Sequence, residues 1–522
     1  MADLQDSLFL LFLALASITL LVRAIFFSKR RTKSLLRLPP SPPALPIIGH
    51  LHLLRKLPHQ ALCKVADHYG PIVYLRFGYK RCLLVSSAEI ARECLKTNES
   101  CFLNRPQRAN LDYLTYGGAD FVVAPYGPYW NFMKKLTVSK LLGASIMEVY
   151  KNIRRQEIGL FVQTILKKAE EGKEIDVGAQ LVGLTNNIIS RMALKQKCAK
   201  TEDEAYEIRH VLDDMCDLAG KLNVQDFIWF FQRFDPQRFG KRLKEVRDRY
   251  DNLMGKIIRE HEEAKRKRME SDIDDGEVKD ILDMLLDVYE DENSEIKLTK
   301  ENIHAYVMNI FGAGTETQSV TMEWALSELI THPNAMSKAR QEIDKVVGSN
   351  RLVQESDIPN LPYIQAVVKE TLRLHPGGPF IARESSEDCT ITGYRVPANT
   401  RVFINTRAVN RDPRHWENPH EFSPERFLGE DGYLKSDLDV RGQHFQLLPF
   451  GSGRRVCPGV NLALLVVPTT VAALVHCFDW KVGEDGNGVV DMEEGFAGLS
   501  LPKAKPLVCF PVARLNPFPK VI

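Results

Sequence analysis

Phe450-Gly-Ser-Gly-Arg-Arg-Val-Cys-Pro-Gly459 sets three glycines and two arginines around one cysteine. Gly451, Gly453 and Gly459 allow a tight hairpin whose backbone amides can approach the sulfur of Cys457. The apolar run from Val460 to Val467 reads as a helix, so Cys457 stands just before a helix N-terminus. There the dipole and the free amides favour thiolate over thiol. A thiolate is what a metal ligand must be, and Arg455 adds a cation suited to a carboxylate partner. A buried structural cysteine in a Gly-rich turn is the plainer explanation of the same residues.

A second group is Ala313-Gly-Thr-Glu-Thr317. Ile303, Tyr306, Val307, Ile310, Phe311, Gly314 and Thr317 fall on one face of a helix. Glycine inside a helix costs up to about 1 kcal/mol relative to alanine. Ala313 and Gly314 therefore suggest a groove where something lies against the backbone, with a local kink. Glu316 and Thr317 beside it form an acid–alcohol pair able to relay protons. A close Gly/Thr contact between packed helices is the alternative. Glu370 and Arg373 share one face of a helix stopped by Pro376. Trp130 and Lys134 are an aromatic and a cation at helical spacing, which is ordinarily surface packing.

Long helical patterns must position these groups: Arg154 to Lys168, Glu245 to Glu263, Lys300 to Thr331 and Tyr363 to His375. Strand-like runs are short, at Ile72 to Phe77, Cys82 to Val85, Cys389 to Ile391 and Val402 to Asn405. The fold class is mainly α with small β-sheets. Residues 262–300, with their alternating basic and acidic blocks, read as a solvated loop. With 44% hydrophobic and 26% charged residues, the 522-residue chain can bury a large core, and disorder is excluded. A net charge of +2 gives no pull toward nucleic acid. The ten cysteines lack CxxC spacing, which argues against a zinc site and fits a reducing compartment.

Leu8 to Phe27 is nearly all apolar and long enough to cross a bilayer as a helix. Lys29, Arg30, Arg31, Lys33 and Arg37 follow it, so residues 1–28 read as an uncleaved anchor with the rest on the cytosolic side. Residues 29–46 form a basic, proline-rich spacer, stiff and extended. One domain, 47–522, completes the chain.

The string around Cys457 resembles the haem-binding loop of cytochromes P450, F-x-x-G-x-R-x-C-x-G, with every defined position present. Ala313 to Thr317 resembles that family's [A/G]-G-x-[D/E]-T-[T/S] motif, with Gln318 replacing the last Thr or Ser. Glu370-Thr-Leu-Arg373 resembles its E-x-x-R motif, whose partner is Arg426 in Pro424-Glu-Arg-Phe427. The resemblance implies a P450 fold behind an N-terminal transmembrane helix, and haem b with Cys457 as the iron ligand. It places Phe450, Gly451, Arg455, Gly459, Ala313 and Gly314 around the haem, and Trp130, Lys134 and Arg383 at its propionates. Lysine at 134 replaces the commoner arginine, keeping the charge and losing bidentate pairing. Thr317 and Glu316 take the proton-relay role, and Glu370, Arg373 and Arg426 a structural one.

The implied reaction is insertion of one oxygen atom from O2 into a C–H bond. Its electrons come from NADPH through a membrane-bound cytochrome P450 reductase, at the endoplasmic reticulum with a single membrane pass; the chain has no G-x-G-x-x-G fingerprint of its own. Arg373-Leu-His-Pro-Gly-Gly-Pro379 and Asp439 to Gly451 are similar to the plant group of flavone and isoflavone synthases and pterocarpan 6a-hydroxylases. Ala382, where isoflavone synthases carry lysine, argues against aryl migration. Triterpene methyl hydroxylases belong to the same group and imply the alternative substrate. The expected substrate-facing segments are 108–123, 218–231, 306–311, 377–381 and 497–501, and the expected apolar pocket is Phe121, Val122, Phe311, Phe380 and Leu499.

Overall fold

The computed structural model describes residues 36–194, 202–270, 280–436, 438–483 and 488–519, with Ser17 and Gly486 besides. The expected anchor, residues 8–27, lies outside them except for Ser17.

Six helices position the site: α1 (Pro128–Thr137), α2 (Lys151–Glu170), α3 (Val177–Leu194), α4 (Lys300–Thr331), α5 (Pro362–Leu374) and α6 (Val460–Cys477). Helix α4 begins where the sequence places it, because Thr299 and Asn302 close a reciprocal cap at 2.9 and 3.3 Å. It ends at His332, where Pro333 opens the next helix. Helix α5 starts on Pro362 and stops before Pro376 for the same reason. Helix α6 is apolar all round, as a helix surrounded by protein must be. Among the described residues it is the one helix long and apolar enough to cross a bilayer, yet 83% of it is buried in the core.

Strands β1 (Ile72–Phe77), β2 (Lys80–Val85), β3 (Phe380–Glu384) and β4 (Arg401–Asn405) form one sheet in the order β1-β2-β4-β3. Strands β2 and β4 run parallel and the other pairs antiparallel. Two smaller sheets join Phe478–Lys481 and Ile175–Asp176 to Val508–Ala513, and Cys389–Ile391 to Tyr394–Val396.

Two expectations are corrected. The loop expected over 262–300 is largely helical: Phe239–Glu270 runs into it and Ile281–Glu290 lies within it, started by an Asp280–Asp283 capping box. The end of the proline-rich spacer is not free-standing. Tyr74 N donates to the Pro40 carbonyl (2.8 Å), Arg395 N to the Arg37 carbonyl (2.9 Å), and His50 Nε2 contacts the Pro42 carbonyl at 2.9 Å.

Candidate active site

A cavity of about 320 Å³ lies between α4 and the loop before α6. Ala313, Gly314 and Thr317 of α4 line it, as do Phe450, Gly451, Arg455, Cys457 and Gly459. Trp130, Phe121, Val122, Phe380 and Arg383 complete the expected part of its wall. Residues more than a hundred positions apart in sequence thus share one space.

The cysteine hairpin is closed by Cys457 N donating to the Phe450 carbonyl at 3.0 Å. Gly451 (φ +71°) and Gly453 (φ +73°) take a left-handed backbone that other residues avoid. A Cβ on Gly453 would also run into Glu99 and the Leu95 carbonyl. The Cys457 side chain is exposed, but onto the cavity, of which it is the single cysteine. Burial pushes its thiol up, while the Gly459 amide and the Arg105 guanidinium pull it down. The backbone amide acts in the expected direction, toward thiolate, and desolvation outweighs it. A bound cation would reverse the balance by deprotonating the sulfur outright.

Three arginines converge on this wall. Arg455 donates to the carbonyls of Leu103 (2.9 Å), Val122 (3.4 Å) and Ala124 (2.6 Å), and its guanidinium lies 4.4 Å above the Trp130 ring. Arg383 is 97% buried with its Nη1 on its neighbour's carbonyl, and Arg105 Nε has no hydrogen-bond partner. Among the described residues none of the three forms an ion pair. Burial first, then mutual repulsion, lowers Arg455 to about 9, Arg383 well below its ordinary value, and, by burial alone, Arg105.

On α4, Thr317 Oγ1 donates to the Ala313 carbonyl at 2.7 Å, and both residues are exposed onto the cavity. Gly314 lines the cavity as expected and also serves the packing of two helices. A Cβ there would stand 2.7 Å from Ile189 Cδ1, so the glycine lets α3 approach α4. Thr185 Oγ1 on α3 reinforces that approach, donating to the Thr315 carbonyl at 3.1 Å. Glu316 does not reach the cavity wall; its Oε1 accepts from Ser500 Oγ.

Beneath the cysteine hairpin, Glu370 receives Arg373 through two bonds (2.7 and 2.8 Å) and Arg426 through one (2.9 Å). Glu370 and Arg373 are fully buried. Arg373 also donates to the carbonyls of Asn410, Pro419 and Glu421. Asn410 Oδ1 in turn accepts from Leu448 N at 3.2 Å, two residues before Phe450. The charge network thereby supports the hairpin.

The family model described as Cytochrome P450 matches residues 39–510. The chain belongs to the cytochrome P450 family. It is 50% identical to a 3,9-dihydroxypterocarpan 6A-monooxygenase of Glycine max, over 94% of this chain and 96% of that one. It is 45% identical to a beta-amyrin 24-hydroxylase of Glycine max, over 99% of this chain and all of that one. A solved zebrafish cytochrome P450 structure with progesterone shares the fold at a TM-score of 0.72 and 26% identity, covering 87% of this chain and 99% of that one.

A P450 carries a cysteine-ligated haem, and Cys457 is the cysteine on this cavity. The residues present fit the group. A haem brings two carboxylates, and the wall already holds three enclosed guanidiniums without ion-pair partners. The metal-binding atom is a sulfur that opens into the same space.

Not every expected residue is on this P450 cavity. Lys134 turns away; its Nζ donates to the Arg454 carbonyl and lies 5.1 Å from the Trp130 ring, so it braces the cysteine hairpin. Phe311 is buried in the core on the turned-away side of α4, and Leu499 is exposed. Segment 218–231 contributes none of the wall; Phe227 and Ile228 pack on the sheet instead. Nor does 497–501, where Gly498 presses on Gly220. Arg105 lies outside every expected segment, while Asp120, Asn309 and Ser500 fall inside the expected segments 108–123, 306–311 and 497–501 without an individual role assigned to them. Asn309 left a visible signal, an amide within the otherwise apolar run Val307 to Phe311; Arg105, between Asn104 and Pro106, left none.

Proposed function

We propose that this P450 hydroxylates a flat, polycyclic plant metabolite of the pterocarpan or isoflavonoid type. The observation carrying the proposal is the single cavity shared by the Cys457 sulfur, the arginine trio and Thr317. The 50% identity to a pterocarpan monooxygenase supports the substrate class. Cys457 anchors the iron, and Arg105, Arg383 and Arg455 hold the carboxylates. The bound haem supplies activation of O2 and insertion of one oxygen atom into a C–H bond.

The protein's part is positioning and proton supply. Thr317 Oγ1, now donating to the Ala313 carbonyl, keeps lone pairs that can accept from a water. Rotation of its hydroxyl presents a proton to the cavity, and Ala313 leaves room for it. Glu316, held by Ser500, sits one residue away to reload the relay from the protein interior. Phe121, Val122, Ile310, Phe380 and Ile381 exclude water and present apolar walls to a ring system. Electrons come from NADPH through a membrane-bound reductase, with residues 8–27 anchoring the enzyme in the endoplasmic reticulum membrane. The support for that anchoring, and for a cytosolic catalytic domain, is the basic cluster from Lys29 to Arg37 behind the apolar run.

The test is incubation of reductase-supplemented microsomes with NADPH and oxygen-18 gas, separately on 3,9-dihydroxypterocarpan and β-amyrin. The proposal expects one labelled oxygen in the pterocarpan product. Labelled β-amyrin alone selects the triterpenoid reading, which the full-length 45% identity supports. No label in either overturns the substrate class.

A further inference from the structure

The cavity wall between Asp120 and Ala124 is attached in a particular way. Its four successive amides donate to side chains. Phe121 N and Val122 N both donate to Asn309 Oδ1 (3.2 and 3.0 Å), while Val123 N and Ala124 N donate to Asp120 Oδ1 (3.0 and 3.1 Å). The two acceptors thus hold one four-residue segment, Asn309 taking its first two amides and Asp120 the next two. From the other side, Arg455 takes the carbonyls of Val122 and Ala124. The segment hangs between α4 and the cysteine hairpin by these three side chains. Phe121 is further held by stacking on Trp130, with ring centroids 6.1 Å apart and planes 15° apart.

Asn309, Ala313 and Thr317 stand at i, i+4 and i+8 on α4, and all three line the cavity. The same helical stripe therefore carries the proton-handling hydroxyl and the hook for the opposing wall. An amide oxygen suits the hook because its two lone pairs can serve two adjacent N–H groups. We propose that Asn309 is a positioning residue. It fixes how far the Phe121–Val122 wall stands from Thr317, and so selects which C–H of a bound substrate can reach the reacting centre. The inference rests on the haem-monooxygenase reading and is independent of the pterocarpan assignment.

The test uses the ferric holoenzyme and two iron-coordinating probes, imidazole and 4-phenylimidazole. The first is too small to reach the wall, and the second carries a ring that does. Asn309→Leu removes the acceptor for two amides, so the wall shifts. Affinity for 4-phenylimidazole is expected to fall about tenfold while that for imidazole stays within about twofold. Asn309→Gln, which keeps a neutral amide oxygen as acceptor, is expected to stay closer to wild type for both probes than the leucine variant does. If the leucine variant fails to hold haem, Asn309→Ser is read in the same way. Equal shifts for both probes, or none for either, overturn the proposal. Wild-type protein that binds neither probe would sink the haem reading instead, and inactivity on pterocarpans touches neither result.

Discussion

Two groups of buried arginines lie on either side of the cysteine hairpin, and they are built oppositely. Arg373 and Arg426 close on the Glu370 carboxylate and on five backbone carbonyls, so that group is complete without a ligand. Arg105, Arg383 and Arg455 face one another across the cavity wall with carbonyls as partners, one orphaned Nε and no ion pair among the described residues. A buried cation without its anion is unfavourable, so such a group persists where something else brings the anion. One set holds the hairpin in place; the other waits for carboxylates.

The contrast predicts opposite responses to mutation. Glu370→Gln leaves Arg373 and Arg426 without a buried counter-charge and should cost about 3–5 kcal/mol. Thermal unfolding and the yield of haem-containing protein would show it, and a stable variant would erase the distinction. Arg383→Leu should do the reverse to the haem-free protein, raising its stability by about 1–3 kcal/mol because an unpaired buried charge is gone. The same variant should lose haem about tenfold faster in transfer to apomyoglobin. Thr317→Ala should touch neither arginine group. Haem content stays at wild type while product formed per NADPH falls, with about tenfold as the expected scale; unchanged coupling would remove the hydroxyl from the relay. Smallest is Gly314→Ala, which should alter stability by no more than about 1 kcal/mol, since Ile189 Cδ1 is the far end of a flexible side chain. Loss of haem in that variant would restore the idea that the glycine clears space for the ligand.

The residues legible in the sequence were those whose reason is local. Gly451 and Gly453 are demanded by the backbone of the hairpin itself, and α4 has its caps written at Thr299 and Pro333. The packing role of Gly314, the bracing role of Lys134 and the places of Phe311 and Arg105 were not legible, because they depend on partners far along the chain. Ile189 of α3 explains the glycine, and the Arg454 carbonyl takes the lysine. Helical periodicity placed Phe311 on the face shared by Ile310 and Gly314, yet one residue is about a 100° turn, enough to move it from cavity to core. Asn309 lies between these cases: an amide within the apolar run Val307 to Phe311 stands out, but only the loop opposite it names its task.

The central claim is that the Cys457 sulfur holds the haem iron. Carbon-monoxide difference spectroscopy of the reduced Cys457→Ser protein tests it most directly. The thiolate-dependent absorption band should vanish, whereas a band of unchanged position and intensity would contradict the assignment.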